Sequence, residues 1–247
     1  MLDVLIVAAA VAPALIVLRL FIAWDRFPEP TGMIVATFLW GMASIVPVLL
    51  AGEFIVAALE TVEDPFWSAA GFAFLAAALP EELAKFAVLT LFCMRHSHFD
   101  EPMDGRVYGM TASLGFAALE NIAYLIDAGD AWVDVALLRA FLSVPSHGLD
   151  GAIMGFFAAL AHFEKRRAML WWFLALAVPI TLHGLYNTPL FLADFETDTA
   201  DDAMRGLFVL LPLAILALEI GWAIRLFRRV NRDQKALLAG APAATGD

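Results

Sequence analysis

Seven long apolar stretches constrain this chain more than any other feature of its sequence. They run near residues 4–23, 33–52, 67–94, 107–126, 137–162, 169–192 and 206–227. A bilayer core is crossed by about 20 mostly apolar helical residues, and each stretch meets that length. Inside lipid the backbone polar groups must be satisfied within the segment, which makes such stretches helices. The composition agrees: 62% of the 247 residues are hydrophobic, 17% are charged, and the mean hydropathy is +0.80. A water-soluble domain is nearer to about 45–50% apolar and about 25% charged. Soluble enzymes, nucleic-acid binders and disordered chains are excluded on this ground. The expected fold is all-α, a polytopic membrane helix bundle of about seven transmembrane helices forming a single domain over 1–247, with a frayed tail at about 239–247. The first stretch reads as a crossing rather than a cleaved leader, because it lacks a basic start and leads into Arg19, Trp24, Asp25 and Arg26 rather than a small-residue cleavage site. Pro80 predicts a kink in the third stretch. Cys93, the single cysteine, permits no intramolecular disulfide and no thiolate cage.

The net charge of −11 divides by loop. One set of alternate loops and the C-terminal region carry Arg26, Arg95, Arg106, Lys165, Arg166, Arg167, Arg225, Arg228, Arg229, Arg232 and Lys235. The opposite set holds Glu53, Glu60, Glu63, Asp64, Asp127, Asp130, Asp134, Asp194, Glu196, Asp198, Asp201 and Asp202, with only Arg139 and Arg205 as bases. Basic residues concentrate on the cytoplasmic side of a membrane protein. The N-terminus is therefore expected outside and the C-terminus in the cytoplasm.

With the loops assigned, Glu81, Glu82, Lys85, Glu120, His147, Asp150, His183 and Glu219 are stranded within the spans. A charge in mid-membrane costs about 2.5–3.5 kcal/mol on the insertion scale, so such groups face a partner or a wet cavity. Helical spacing puts Lys85 within reach of both Glu81 and Glu82. One carboxylate would suffice for a tolerated ion pair; two beside one cation cannot be neutralised equally, which lets one serve as a base and the other as a stabiliser. At a helical rise of 1.5 Å per residue, Glu120, His147, His183 and the glutamate pair fall near the middle of the bilayer or in its outer half. Asn187 follows His183 by one turn and can orient it or the substrate. Arg139 can grip a substrate carbonyl or pair with Asp134. Asp150 and Glu219 have no evident role, and His96, His98 and Asp100 read as a solvated loop. Gly105 with Gly109, and Gly151 with Gly155, are small-residue spacings that let helices approach closely and bring His147 toward Glu120.

Two hydrolytic devices fit these residues. In one, His147, His183 and Glu120 hold Zn²⁺, and Glu81 or Glu82 is the general base. The other needs no metal: a glutamate activates water while a histidine or Asn187 stabilises the oxyanion. Cys93 lies away from the cluster, and no Ser–His–Asp pattern is present. The competing class is a transporter or silent scaffold built on the same buried groups. A transporter would show inverted repeats or paired broken helices, and only the third stretch has a proline beside charge.

Glu-Glu-x-x-Lys (81–85), Phe-x-x-x-Glu-Asn (116–121), His-x-x-x-Gly (147–151) and His-x-x-x-Asn (183–187) together resemble the successive motifs of the PrsW family of intramembrane proteases. The loop residues 25–30 and 100–105 are similar to that family as well. A more distant similarity is to the CAAX-type prenyl-protein proteases, from which Lys85 and Glu120 depart. The resemblance implies a multi-pass protease of the bacterial cell membrane that acts on a single-pass membrane protein or peptide. It further implies extracytoplasmic first-site cleavage of an anti-sigma factor, with catalytic Glu81, Glu82, Lys85 and Asn187 and candidate metal ligands Glu120, His147 and His183.

Overall fold

Turn chemistry sets the helix ends. The Asp64 side chain accepts the Trp67 N–H at 3.0 Å and Pro65 follows it, opening one helix; a reciprocal pair of caps between Glu101 and Asp104, followed by Pro102, opens another. Gly129, with φ 54°, supports the turn after the second of these. A computed structural model of the chain describes residues 2–23, 25, 27–195 and 202–238. The tail expected at 239–247 lies outside the described residues, as do Arg26 and residues 196–201.

The first crossing is α1 (Leu2–Ile22), and the second is α2 (Thr31–Ala43) followed across Ser44 by α3 (Ile45–Leu59). The third joins α4 (Pro65–Gly71), a wide π-helical turn (Phe72–Ala78) and α5 (Leu79–Leu91). α6 (Pro102–Asp127) is the fourth; α7 (Trp132–Leu138), a second π-turn (Arg139–Ser143) and α8 (Val144–Phe163) make the fifth. α9 (Ala168–Phe195) and α10 (Asp202–Leu238) complete the set, and no strand occurs among the described residues. Each expected apolar stretch thus corresponds to one helical run. Five runs, Leu2–Ile22, Thr31–Leu59, Pro102–Asp127, Lys165–Asp194 and Gly206–Leu226, are long and apolar enough to cross a membrane by themselves. The third and fifth are interrupted by the π-turns.

The kink expected at Pro80 takes a definite form. Proline offers no N–H and crowds the carbonyl four residues back, and the turn just before it widens to i→i+5 bonding. A second interruption, in the fifth run, precedes Pro145 in the same way. These two broken helices carry most of the stranded charge.

α6 is the centre of the bundle, and its residues from Met103 to Ala118 are all buried. Glycines allow its neighbours to come this close. A Cβ built on Gly155 would lie 1.7 Å from the Gly105 carbonyl oxygen, and one on Gly109 would lie 2.2 Å from that of Gly151. Backbone therefore meets backbone between α6 and α8. On the other flank a Cβ on Gly115 would meet the Phe38 carbonyl of α2 at 2.1 Å. Large apolar side chains such as Phe54, Phe141 and Met169 are exposed, as a lipid-facing perimeter requires.

The alternation of the loops is visible in contacts at each end. At one end Tyr108 donates its hydroxyl to Glu29, Asp104 Oδ2 accepts the Asp100 and Glu101 N–H groups at 2.7 and 2.6 Å, and Phe99 packs on His162 and Phe163. Burial raises Glu29 above its ordinary carboxylate value, although the Tyr108 hydrogen bond opposes the shift. His96 and His98 stack there in an exposed loop. At the other end Tyr124, Leu138, Leu190 and Phe208 surround one cavity.

Candidate active site

Directly after the first π-turn, Pro80 begins α5 and Glu81, Glu82 and Lys85 follow within its first two turns. All three are buried, Glu82 and Lys85 completely. Lys85 Nζ donates to Glu82 Oε1 at 2.7 Å and to Glu81 Oε2 at 3.3 Å, as the helical spacing predicts. Its third partner comes from α8: His147 Nδ1 lies 2.9 Å away. The ammonium also sits 4.5 Å from the centre of the Phe116 ring.

Partner chemistry assigns the imidazole protons. Lys85 can only donate, so His147 Nδ1 accepts and its Nε2–H points to Glu120 Oε2 at 3.1 Å. From α9, His183 Nδ1 approaches Glu82 Oε1 at 2.9 Å. The carboxylate can only accept, so this nitrogen carries the proton and the lone pair is on Nε2, 3.9 Å from Glu81 Oε2. The two imidazole rings are 5.1 Å apart and nearly perpendicular. Each histidine is thus oriented by one carboxylate; the Nε2 lone pair of His183 is unused among the described residues, whereas that of His147 Nδ1 accepts from Lys85. A carboxylate on the second nitrogen is how metal-ligating histidines are commonly held.

Glu120 was expected beside both histidines as a ligand. In the structure its carboxylate is instead held by the Arg139 guanidinium and by His147. Arg139 also donates from Nε to Asn121 Oδ1 at 2.5 Å, and Asn121 reaches the Ala10 carbonyl of α1 at 3.3 Å. The second π-turn delivers Arg139 here, and Asp134 is not its partner. Asn187 lines a side cavity with Arg139 and makes no side-chain hydrogen bond among the described residues.

The donor set fits a divalent cation. Ligand atoms of Glu81, His147 and His183 lie within 4.8 Å of one another, and so do those of Glu82, Asp150 and His183. Two buried carboxylate oxygens of the second group, Glu82 Oε2 and Asp150 Oδ1, have no hydrogen-bond partner among the described residues. Imidazole nitrogens with carboxylate oxygens suit zinc and its first-row neighbours. Asp150 therefore belongs to the cluster, and its place one turn after His147 was the signal for it. Glu219 of α10 is fully buried and accepts the Ser146 hydroxyl at 3.0 Å, next to His147. Nothing local in the sequence of α10 points to that partner.

Membrane-crossing helices around a buried cluster of paired glutamates, lysine and two histidines define a class: intramembrane proteases of the metal-dependent type. The sequence profile of the PrsW family intramembrane metalloproteases matches residues 29–218, and the chain belongs to that family. It is 40% identical over 185 residues to the Protease PrsW of Geobacillus kaustophilus, which covers 74% of this chain and 78% of the relative. Identity to the Protease PrsW of Bacillus subtilis is 39% over 184 residues, 74% of this chain and 81% of the relative. The match to that of Oceanobacillus iheyensis, at 33% identity, extends over 94% of this chain and 98% of the relative. No solved structure matches the chain significantly. The protein is a multi-pass bacterial membrane protease.

Proposed function

We propose that this protease hydrolyses a peptide bond of a single-pass membrane protein in the extracytoplasmic half of the bilayer, with Glu82 as the general base. One observation carries the reading: Glu81, Glu82, Lys85, His147 and His183 converge from α5, α8 and α9 within hydrogen-bond reach of one another. His183, Glu81 and, once Lys85 releases its Nδ1, His147 are the residues that would hold a zinc ion, while Glu82 and Glu120 orient the two imidazoles. Zinc bound there would polarise the scissile carbonyl and ease deprotonation of water.

The remaining steps belong to the chain. Glu82 keeps Lys85 and His183 on Oε1, which leaves Oε2 free to take a proton from water. The resulting hydroxide adds to the carbonyl carbon, and Lys85 is the cation nearest to Glu82 that can offset the developing negative charge. Collapse breaks the C–N bond as the proton held by Glu82 passes to the amine. A site in the outer half of the membrane suits first-site cleavage of an anti-sigma factor, which we adopt as the proposed substrate.

Reconstitution in proteoliposomes with a single-pass substrate tests this reading. Glu81→Gln and Glu82→Gln, made separately, should each lower cleavage by at least about 10²-fold with folding intact. Purified protein should carry zinc, lost in His147→Ala and His183→Ala. Full activity in both glutamate variants overturns the assignment, and a metal-free active enzyme overturns its zinc component. Proton or solute flux without proteolysis would establish the transporter reading in its place.

A further inference from the structure

Beside the cluster lies a cavity of about 370 Å³, walled by the end of α6, by α7 with its π-turn, and by α9 and α10. Most of its wall is apolar, including Leu142, Leu190, Phe208 and Val209. Besides Arg139, Tyr124 and Asp194, three neutral hydrogen-bonding side chains interrupt that wall: Ser143, Tyr186 and Asn187. None of these three makes a side-chain hydrogen bond among the described residues, although Tyr186 is only 5% exposed. Arg139 also lines the cavity and holds Glu120, which in turn orients His147. The cavity therefore adjoins the cluster through a single ion pair.

We propose that this cavity binds the substrate as an extended peptide, with Ser143, Tyr186 and Asn187 hydrogen-bonding its backbone and the apolar wall accepting one large side chain. The proposal rests on the proteolytic reading of the cluster and adds where and how the substrate is held. A transmembrane helix satisfies its own backbone and shields the scissile carbonyl. Cleavage requires local unwinding, and each N–H or C=O freed in a membrane costs several kcal/mol unless it finds a partner. Unpartnered hydroxyl and amide groups in an apolar wall supply such partners. A lipid chain would leave all three unpaired. The cavity that suits a lipid chain is a different one, about 310 Å³ and wholly apolar, between α1, α6, α8 and α10 near Phe21, Met110 and Leu149. The size of the mixed cavity is within the usual range for ligand pockets, about 300–1,000 Å³.

Photo-crosslinking locates the substrate independently of turnover. A photoreactive phenylalanine analogue is placed at Leu142, at Phe208 or at Trp40, the last in the groove between α2 and α5. The protein also carries Glu81→Gln and Glu82→Gln and is mixed with a single-pass substrate in proteoliposomes. Crosslinks at 142 and 208 but not at 40 support the proposal; crosslinks at 40 alone, or at none of the three, overturn it. In the otherwise unchanged enzyme, Tyr186→Phe and Ser143→Ala should raise KM about 10-fold while changing kcat by less than about 3-fold, the pattern of lost uniform binding. An unchanged KM in both variants overturns the proposal. Retained cleavage in both glutamate variants would instead overturn the proteolytic reading, and the crosslinks would still report where the substrate lies.

Discussion

The molecule gathers carboxylates at two places and uses them differently. At one end, Glu29 accepts the Tyr108 hydroxyl and Asp104 Oδ2 accepts two backbone N–H groups, while Asp104 Oδ1 is buried without a hydrogen-bond partner among the described residues. Near the other end, Glu81, Glu82 and Glu120 are held by Lys85, Arg139 and two histidines. The first arrangement closes a loop onto the start of α6. The second leaves buried oxygens and imidazole nitrogens facing one another. A cluster of acids by itself therefore does not make an active centre; its partners decide. Backbone N–H groups and a phenol bring no charge to the acids they hold, whereas an ammonium, a guanidinium and imidazoles beside Glu81, Glu82 and Glu120 place proton-bearing and metal-binding groups together.

Removing the cations is the strongest way to break that contrast. Lys85→Met leaves Glu81 and Glu82 buried without a counter-charge, and loss of one partner of a buried pair costs about 3–5 kcal/mol. The variant should show a large fall in thermal unfolding temperature in detergent and no cleavage. Adding Glu82→Gln should recover part of the stability but none of the activity. Equal stability of Lys85→Met and the parent would show that Lys85 does not hold the cluster.

Arg139→Met should do less, about 1–3 kcal/mol, because Glu120 retains the His147 Nε2–H and is partly exposed. Its cleavage rate should fall through misorientation of His147, and the double variant Arg139→Met/Glu120→Gln should melt closer to the parent than the single one. The smallest effect belongs to the other acid cluster. Glu29→Gln still accepts the Tyr108 hydroxyl, so stability should shift by less than about 1 kcal/mol and proteoliposome cleavage should stay within about 2-fold. A large loss of cleavage there would erase the distinction between the two regions.

Much of this was legible in the sequence because lipid imposes simple rules. Apolar runs become helices, and charges that remain within them must have a use. The Lys85 contacts to Glu81 and Glu82 follow from spacing on one helix. Contacts between helices were less accessible. Glu120 lay at the expected level, but level along a helix does not say which side of the helix a residue faces or which neighbour reaches it first. Arg139, the first residue of the π-turn at 139–143, reaches it from the neighbouring run. Pro145 alone did not announce that turn.

The sequence by itself determined the all-helical membrane bundle, the number of its crossings, the alternation of its loops and the residues that had to be accounted for. Hydrophobic length and backbone hydrogen bonding act locally, so a linear reading captures them. Tertiary structure alone decided that Glu120 meets His147 and Arg139, that Glu81 lies 3.9 Å from His183, that Asp150 comes near Glu82 and His183, that Glu219 pairs with Ser146, and that Asn187 lines a cavity beside the cluster. Those outcomes depend on how closely glycines let α6 and α8 approach and on which helices meet around the cluster. Both are properties of helices in contact rather than of any one helix.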